Sequence, residues 1–260
     1  MSSARYIEPS ERQVLAPLFT HHRHLRPDVD AVLQGYCGTA VANTVGEACV
    51  AQLTISLLTF FGGDPTHPLA RHLVEKLSGE TIIVVADARW RELVFHVHGA
   101  RLTIQPRLSF SSVHLNLAHL RHLMSCGPEG LQIKRIDLDL AQRIGTEVDT
   151  DLILSEVFPT LTDFVERGIG FCALADERIV CGATSAARCD NAIEIQINTH
   201  PQFRRRGLAS AVGATLVAHC LEYGLDPDWD TATTNLPSQH LAQKLGYIPE
   251  STYEWLVLSA

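Results

Sequence analysis

The sequence predicts an α/β (α+β) fold in two parts, residues 1–126 and 127–260. Three observations point there. First, Ile193, Ile195 and Ile197 alternate with Glu194, Gln196 and Asn198, the period of a strand with one buried face. Second, a short basic loop, Arg204-Arg205-Arg206-Gly207, leads from this strand into an apolar-periodic run of Leu208, Ala211, Leu216, Val217, Cys220 and Leu221, the pattern of a helix. Third, Cys126-Gly127-Pro128-Glu129-Gly130 clusters chain breakers between two periodic segments, which suits a domain boundary.

Taken in order, residues 1–60 read mainly as helix. Val14, Leu15, Leu18 and Phe19 have helical spacing, and the nearly uncharged stretch Thr44 to Leu58 predicts a buried helix. His21, His22 and His24 crowd one turn, but no partner ligands sit at a metal-site spacing, so a solvated or substrate-facing turn is expected and no metal. Leu69, Leu73 and Leu77 mark an amphipathic helix, and the β-branched run Thr81 to Ala86 a buried strand. Asp87 is placed to cap a helix carrying Trp90, Leu93, Val94 and Val97, closed by Gly99. A strand over 101–110 and a helix over 114–124 follow. This first half is expected to be an α/β accessory domain, with a degenerate copy of the second half's fold left open. Walling an acceptor pocket and forming a homodimer contact are the roles open to it.

In the second half, Leu131 to Ile136 is a strand and Asp137 caps a short helix ending at Ile144. Helix is predicted from about Val148 to Arg167, interrupted near Pro159. Phe171 to Leu174 and Ile179 to Ala186 pair around Asp176-Glu177-Arg178. After the isoleucine strand and its helix, Asp226 to Thr231 turns into a fifth strand. Pro237 to Leu245 is a helix, and Tyr253 to Leu258 a closing strand.

Composition narrows the function classes. Apolar residues make up 46% of the 260 and charged residues 19%, ordinary for a globular protein. The net charge of −8 argues against general nucleic-acid binding and is compatible with a cationic amine. No apolar run approaches the ~20 residues that span a bilayer, and the first residues lack the apolar core of a secretory leader. Seven scattered cysteines without a Cys-x-x-Cys pair read as reduced thiols, so a cytoplasmic protein is expected.

The basic loop carries the chemistry. A helix start offers backbone N–H groups with no intrahelical partner, and the helix dipole adds positive character. Gly207 lets the backbone approach a ligand, and Ala209 adds little bulk. Together these suit a phosphate or pyrophosphate. The loop alone also fits a solvated arginine cluster. Neither the P-loop nor the three-glycine dinucleotide pattern is present.

Arg204-Arg205-Arg206-Gly207-Leu208-Ala209 resembles the Q/R-x-x-G-x-G/A signature of the GNAT N-acetyltransferases, and the strand before and helix after it stand in that family's order. Asn235, Ser238 and Leu245-Gly246-Tyr247 resemble the family's next segment. Gly168-Ile169-Gly170-Phe171-Cys172, the strand at 193–199 and Leu241 to Tyr247 look like the subgroup containing the zwittermicin-resistance acetyltransferase. The resemblance covers roughly residues 131–260. It implies a mixed sheet flanked by helices and acetyl-CoA as co-substrate.

Transfer of acetyl from a thioester to an amine has three needs. The pyrophosphate must be held, which falls to the loop amides of Arg205 to Ala209, with Arg204, Arg205, Arg206 and Ser210 around them. The pantetheine arm must be matched; the resemblance implies the backbone groups of Ile197, Asn198 and Thr199. Protons must move, because an alkyl amine with a pKa near ~10 is mostly protonated at neutral pH. Glu194, on the strand's polar phase, is the candidate base, with Glu156 its rival and a purely structural carboxylate the plain alternative. The resemblance implies that Tyr247 protonates the departing thiolate; a packed aromatic after a glycine turn is the other reading. Asn235 and Ser238 are candidate cofactor contacts, Asn235 also fitting an N-cap. Cys172, Cys181 and Cys189 have no partners that the sequence places beside them, so direct transfer in a ternary complex is expected. A small-molecule amine is the expected acceptor. A protein or peptide acetyltransferase and a non-catalytic acetyl-CoA-binding module remain the alternatives.

Overall fold

The computed structural model describes residues 4–44, 47–128, 130–144 and 157–259. In the first half it places β1 (Arg5–Tyr6), a 3-10 helix (Pro9–Phe19), α1 (Arg26–Leu33), β2 (Thr39–Ala42), β3 (Val50–Ile55), β4 (Leu58–Gly63), α2 (Pro68–Glu75), β5 (Thr81–Val84), α3 (Ala88–His98) and β6 (Leu102–Ser111). Then come α4 (Leu117–Ser125), β7 (Gln132–Arg135), α5 (Leu138–Ile144), α6 (Leu161–Arg167), β8 (Gly170–Ala175), β9 (Arg178–Arg188), β10 (Ala192–Thr199), α7 (Leu208–Glu222), β11 (Asp226–Ala232), α8 (Leu236–Leu245) and β12 (Ile248–Leu258). The expected mixed sheet flanked by helices is present.

The chain forms two compact units. One runs to Arg107 and includes the chain from Thr252 onward; the other is Leu108–Ser251. The expected division lay at 126/127, whereas the segment 108–126 packs within the second unit. There Leu120 and Leu123 of α4 share a core with Ala214, Val217 and Ala218 of α7.

In the first unit the strand order is β1-β2-β3-β4-β5-β12. Neighbours are antiparallel except β4 and β5, which α2 joins in parallel. The helix expected over Thr44 to Leu58 is corrected: its described part holds β3 and the start of β4. Few charges report burial, not helix. Val50, Leu53 and Ile55 are buried, and Ser56, with φ of +49°, turns the chain back. Pro9–Phe19 is helical as expected but wound as 3-10, with Pro17 inside it. The core here is Phe61 stacked on Trp90, with Leu69, Leu73 and Val74 from α2 and Leu256 and Leu258 from β12.

In the second unit the order is β7-β8-β9-β10-β11-β6. Neighbours from β7 to β10 are antiparallel, and α7 joins β10 to its parallel neighbour β11. The first five strands of the two units thus repeat one arrangement. Alternation along β8 sorts its side chains: Cys172 and Leu174 meet Leu140 of α5 and Phe164 of α6, while Ala173 meets Leu208, Val212 and Leu216 of α7. Gly213 lets α7 lie close to β10, since a Cβ there would stand 2.9 Å from Ile197 Cδ1. Asp137 caps α5 and Thr160 caps α6 through bonds of 2.9 and 3.0 Å. Residues 148–156 of the helix expected from Val148 lie outside the described residues.

Candidate active site

The site begins where two parallel strands part. β10 and β11 pair at Ala192↔Asp226, Ile193↔Pro227 and Glu194↔Asp228 and stop there, although the strands continue to Thr199 and Ala232. Two local features mark this place. Pro227 brings no N–H to the ladder, and the β9 side of β10 changes register between Glu194 and Ile195, a bulge that increases twist. Beyond the last pair lies a cleft of about 1110 Å³. Ile195, Ile197, Asn198 and Thr199 line one wall, and Trp229 and Asp230 the other.

The basic loop closes one end. Gly207, at φ +84°, is the N-cap of α7 and supplies no side-chain cap, and the first turn of α7 carries no acidic residue. Arg205 is also left-handed, at φ +62°, a conformation costing a non-glycine residue about 1–2 kcal/mol. The N-terminal amides of α7 therefore face the cleft without an internal cap, and a Cβ on Gly207 would meet nothing within 4 Å. Arg204, Arg205, Gly207, Leu208, Ala209 and Ser210 all line the cleft. Arg204 Nε donates to the Thr199 carbonyl at 3.0 Å, tying loop to strand. The Arg206 guanidinium instead lies over the Phe203 ring, 5.2 Å from its centroid. An anion such as a pyrophosphate fits this uncapped helix start.

Asn235 and Ser238 line the cleft as well. Asn235 Oδ1 accepts the Ser238 N–H at 3.2 Å as the N-cap of α8, and Ser238 Oγ accepts Trp229 Nε1–H at 3.2 Å.

The proton-moving candidates fall differently. Glu194, only 8% exposed, is not among the residues lining the cleft; it immediately precedes Ile195, the first β10 residue that does, and shares a hydrogen bond with Asp228. Tyr247 is not brought to the cleft. Its hydroxyl donates to the Pro227 carbonyl at 2.9 Å inside a core with Trp229 and Leu245, and burial raises its pKa well above 10. Glu156 lies outside the described residues. Cys172, Cys181 and Cys189 are all buried, and burial pushes the Cys181 thiol up to about 12. Sequence reasoning missed Asp228, Trp229, Asp230, His240 and Lys244. The alternation Asp226-Pro227-Asp228-Trp229-Asp230 was the available signal for the first three.

The matching loop of the first unit is built otherwise. Asp64 Oδ1 accepts the Thr66 amide at 3.0 Å, and His67 Nδ1 accepts the Leu69 amide at 3.1 Å, so side chains of the loop cap its amides. Hydrogen bonds from Thr66 hold the Asp64 carboxyl below the usual range, leaving a negative charge three residues before the His67 N-cap, where the second unit has Arg204 before Gly207.

A mixed sheet whose central parallel strands part beside an uncapped helix start agrees with the resemblance to the acetyltransferases carried by the sequence. The model of the GNAT acetyltransferase family matches residues 16–256, and the chain belongs to that family, whose members generally use acetyl-CoA as co-substrate. It is similar over 96% of its length to a GCN5-related N-acetyltransferase-like protein from Streptococcus suis 89/1591, at 28% identity, 98% coverage of that chain and a TM-score of 0.79. It is 32% identical over 126 residues to the uncharacterized N-acetyltransferase YdfB of Bacillus subtilis (strain 168), and this match spans about half of each protein, 48%. A tandem GNAT protein from the clavulanic acid biosynthesis pathway shares the fold at 13% identity and a TM-score of 0.60, with 98% and 96% of the two chains covered. Among the described residues, no helix is long and apolar enough to cross a membrane.

Proposed function

We propose that the chain transfers acetyl from acetyl-CoA to the primary amine of a small molecule, a metabolite or antibiotic-like compound, by direct transfer in a ternary complex. The observation that carries this reading is the parting of β10 and β11 beyond Glu194↔Asp228, with the uncapped start of α7 at one end of the resulting cleft. The amides of the loop and first turn of α7, from Arg205 to Ala209, with Arg204, Arg206 and Ser210 around them, would hold the pyrophosphate. The edge of β10 at Ile197, Asn198 and Thr199 would pair with the pantetheine amides, and Asn235 and Ser238 would border the arm. Acetyl-CoA supplies the acetyl group as a thioester.

Glu194 takes one proton from the acceptor ammonium, freeing the nitrogen lone pair to attack. The second nitrogen proton leaves with the thiolate as the carbon–sulfur bond breaks. This route asks nothing of Tyr247, whose hydroxyl already has a partner in the core. The subgroup resemblance and the net charge of −8 favour a small cationic amine over a protein acceptor. The first unit serves as an accessory copy of the fold, and its capped loop argues against a second cofactor site.

Thiol release from acetyl-CoA, measured against a panel of amines, tests the reading. Gly207→Glu places a bulky anion beside the pyrophosphate amides and forces a left-handed conformation on a side-chain-bearing residue. Calorimetric binding of acetyl-CoA is expected to vanish in that variant. Unchanged affinity would remove the loop's role.

A further inference from the structure

Glu194 and Asp228 are register partners on adjacent parallel strands, so their side chains leave the sheet on the same face, at the last paired step before the cleft. The two carboxyl groups share a hydrogen bond. A carboxylate only accepts, so that bond requires a proton on one member of the pair. Glu194 is almost wholly buried and Asp228 half-buried, so Asp228 is the member with access to solvent. We propose that Asp228 is the proton store of the acetyl transfer: Glu194 accepts the proton of the acceptor ammonium and hands the proton it already holds to Asp228. This rests on the acetyl-transfer reading above and assigns a role to a residue acting through Glu194.

The step balances. One N–H bond of the ammonium breaks and one O–H bond forms on Glu194. The original Glu194 O–H breaks as an O–H forms on Asp228. The pair passes from one negative charge to none, and Asp228 then returns its proton to water. The surroundings favour a pair that carries a single charge at rest. Burial pushes the Asp228 carboxyl up to about 6, the Glu194 hydrogen bond lowers it, and Asp226 and Asp230 on the same strand raise it. From behind, Tyr247 and Cys220 are neutral, the first raised well above 10 and the second pushed up to about 12 by burial. Among the described residues, no cation contributes to the shift at Asp228. Two like charges this close in a desolvated position titrate as a unit, one proton being retained.

The test is a ¹³C titration of side-chain carboxyls in the full chain, with pH profiles of turnover for wild type and Asp228→Asn. In the wild type we expect a carboxyl step near 6, outside the ordinary range near ~4. Asp228→Asn removes the step near 6. It slows turnover at pH ~7 by roughly 10–100-fold while acetyl-CoA affinity stays within about twofold. The size of the loss varies with pH, because Glu194 no longer titrates together with a second carboxyl. A merely structural role would lower the rate equally at every pH. Both carboxyls ionising near ~4, or an unchanged pH profile in Asp228→Asn, would overturn the proposal. Absence of turnover by the wild type on every amine would instead remove the acetyl-transfer reading, and the proton-store role with it.

Discussion

The hydroxyl of Tyr247 donates to the carbonyl of Pro227 across 2.9 Å, within a core that also holds Trp229. Pro227 is the residue just before Asp228, and its carbonyl is held by a buried residue that follows α8. The bond therefore fixes the backbone of β11 where its pairing with β10 ends. Tyr247→Phe is expected to leave a buried carbonyl without its donor, at a cost of about 1–3 kcal/mol in stability. Turnover by the folded variant should stay within about twofold of wild type. Urea unfolding and steady-state rates separate the two effects. A large fall in kcat with unchanged stability would restore the tyrosine to proton transfer.

The two units differ at the loop after the fourth strand of each. In the second unit, Gly207 leaves the helix start uncapped; in the first, Asp64 and His67 occupy the amides. A pyrophosphate at the first loop would have to displace both caps and approach the charge of Asp64, which its Thr66 hydrogen bonds keep ionised. Calorimetry is therefore expected to find one acetyl-CoA per chain. Gly207→Glu should abolish all binding, with no residual weak site. Two sites, or a site surviving that substitution, would show that the first unit binds as well.

His22 couples the first unit to pH. It is buried, its Nε2 stands 2.8 Å from the Phe61 carbonyl, and burial lowers its pKa from 6.5. The folded protein keeps this ring neutral while the unfolded chain protonates below about 6.5, so the unfolded state binds more protons there. Stability is then lost as pH falls from about 6.5 through the folded-state value. Half-buried His219 is shifted the same way. Asp228 acts oppositely: with its folded pKa raised to about 6, its contribution is present at low pH and lost as pH rises through about 6. The His22 share is isolated by His22→Gln, which retains an N–H donor for Phe61 and does not titrate. Its urea midpoint should fall less than that of wild type between pH ~7.5 and ~5.5. Equal falls would mean that His22 does not carry the effect.

Much of the second unit could be read from residue patterns, because its signals are local. The alternation of Ile193, Ile195 and Ile197, the glycine before Leu208 and the Asn235 cap each act within a few residues of themselves. Features that depend on distant partners could not be read that way. Asp228 matters because it lies opposite Glu194, a pairing across 34 positions that no spacing rule supplies. Tyr247 follows Gly246 as the resemblance requires, yet its environment comes from Pro227 and Trp229. In the first unit, low charge between Thr44 and Leu58 suits helix and strand alike, because burial leaves the same mark on both. The loop after β4 reads as an ordinary turn until the amides that Asp64 and His67 accept are traced.

Arg12 is the least expected member of the core. It is 1% exposed, inside the 3-10 helix, at a position where an apolar residue would be anticipated. Its Nε donates to the Ile7 carbonyl at 3.2 Å, Nη1 to the carbonyls of Val32 and Cys37 at 3.3 and 2.9 Å, and Nη2 to the Tyr6 hydroxyl at 3.0 Å. One rigid fork thus joins β1, the end of α1 and the turn that follows it. Arg12→Ala removes all four bonds and opens a cavity, so a loss of at least about 3 kcal/mol is expected, read as a fall in the urea midpoint. Arg12→Lys should rescue little, because a single ammonium on a flexible stem cannot reach acceptors spread across a planar fork. If lysine restored wild-type stability, the charge and not the fork geometry would be what this position requires.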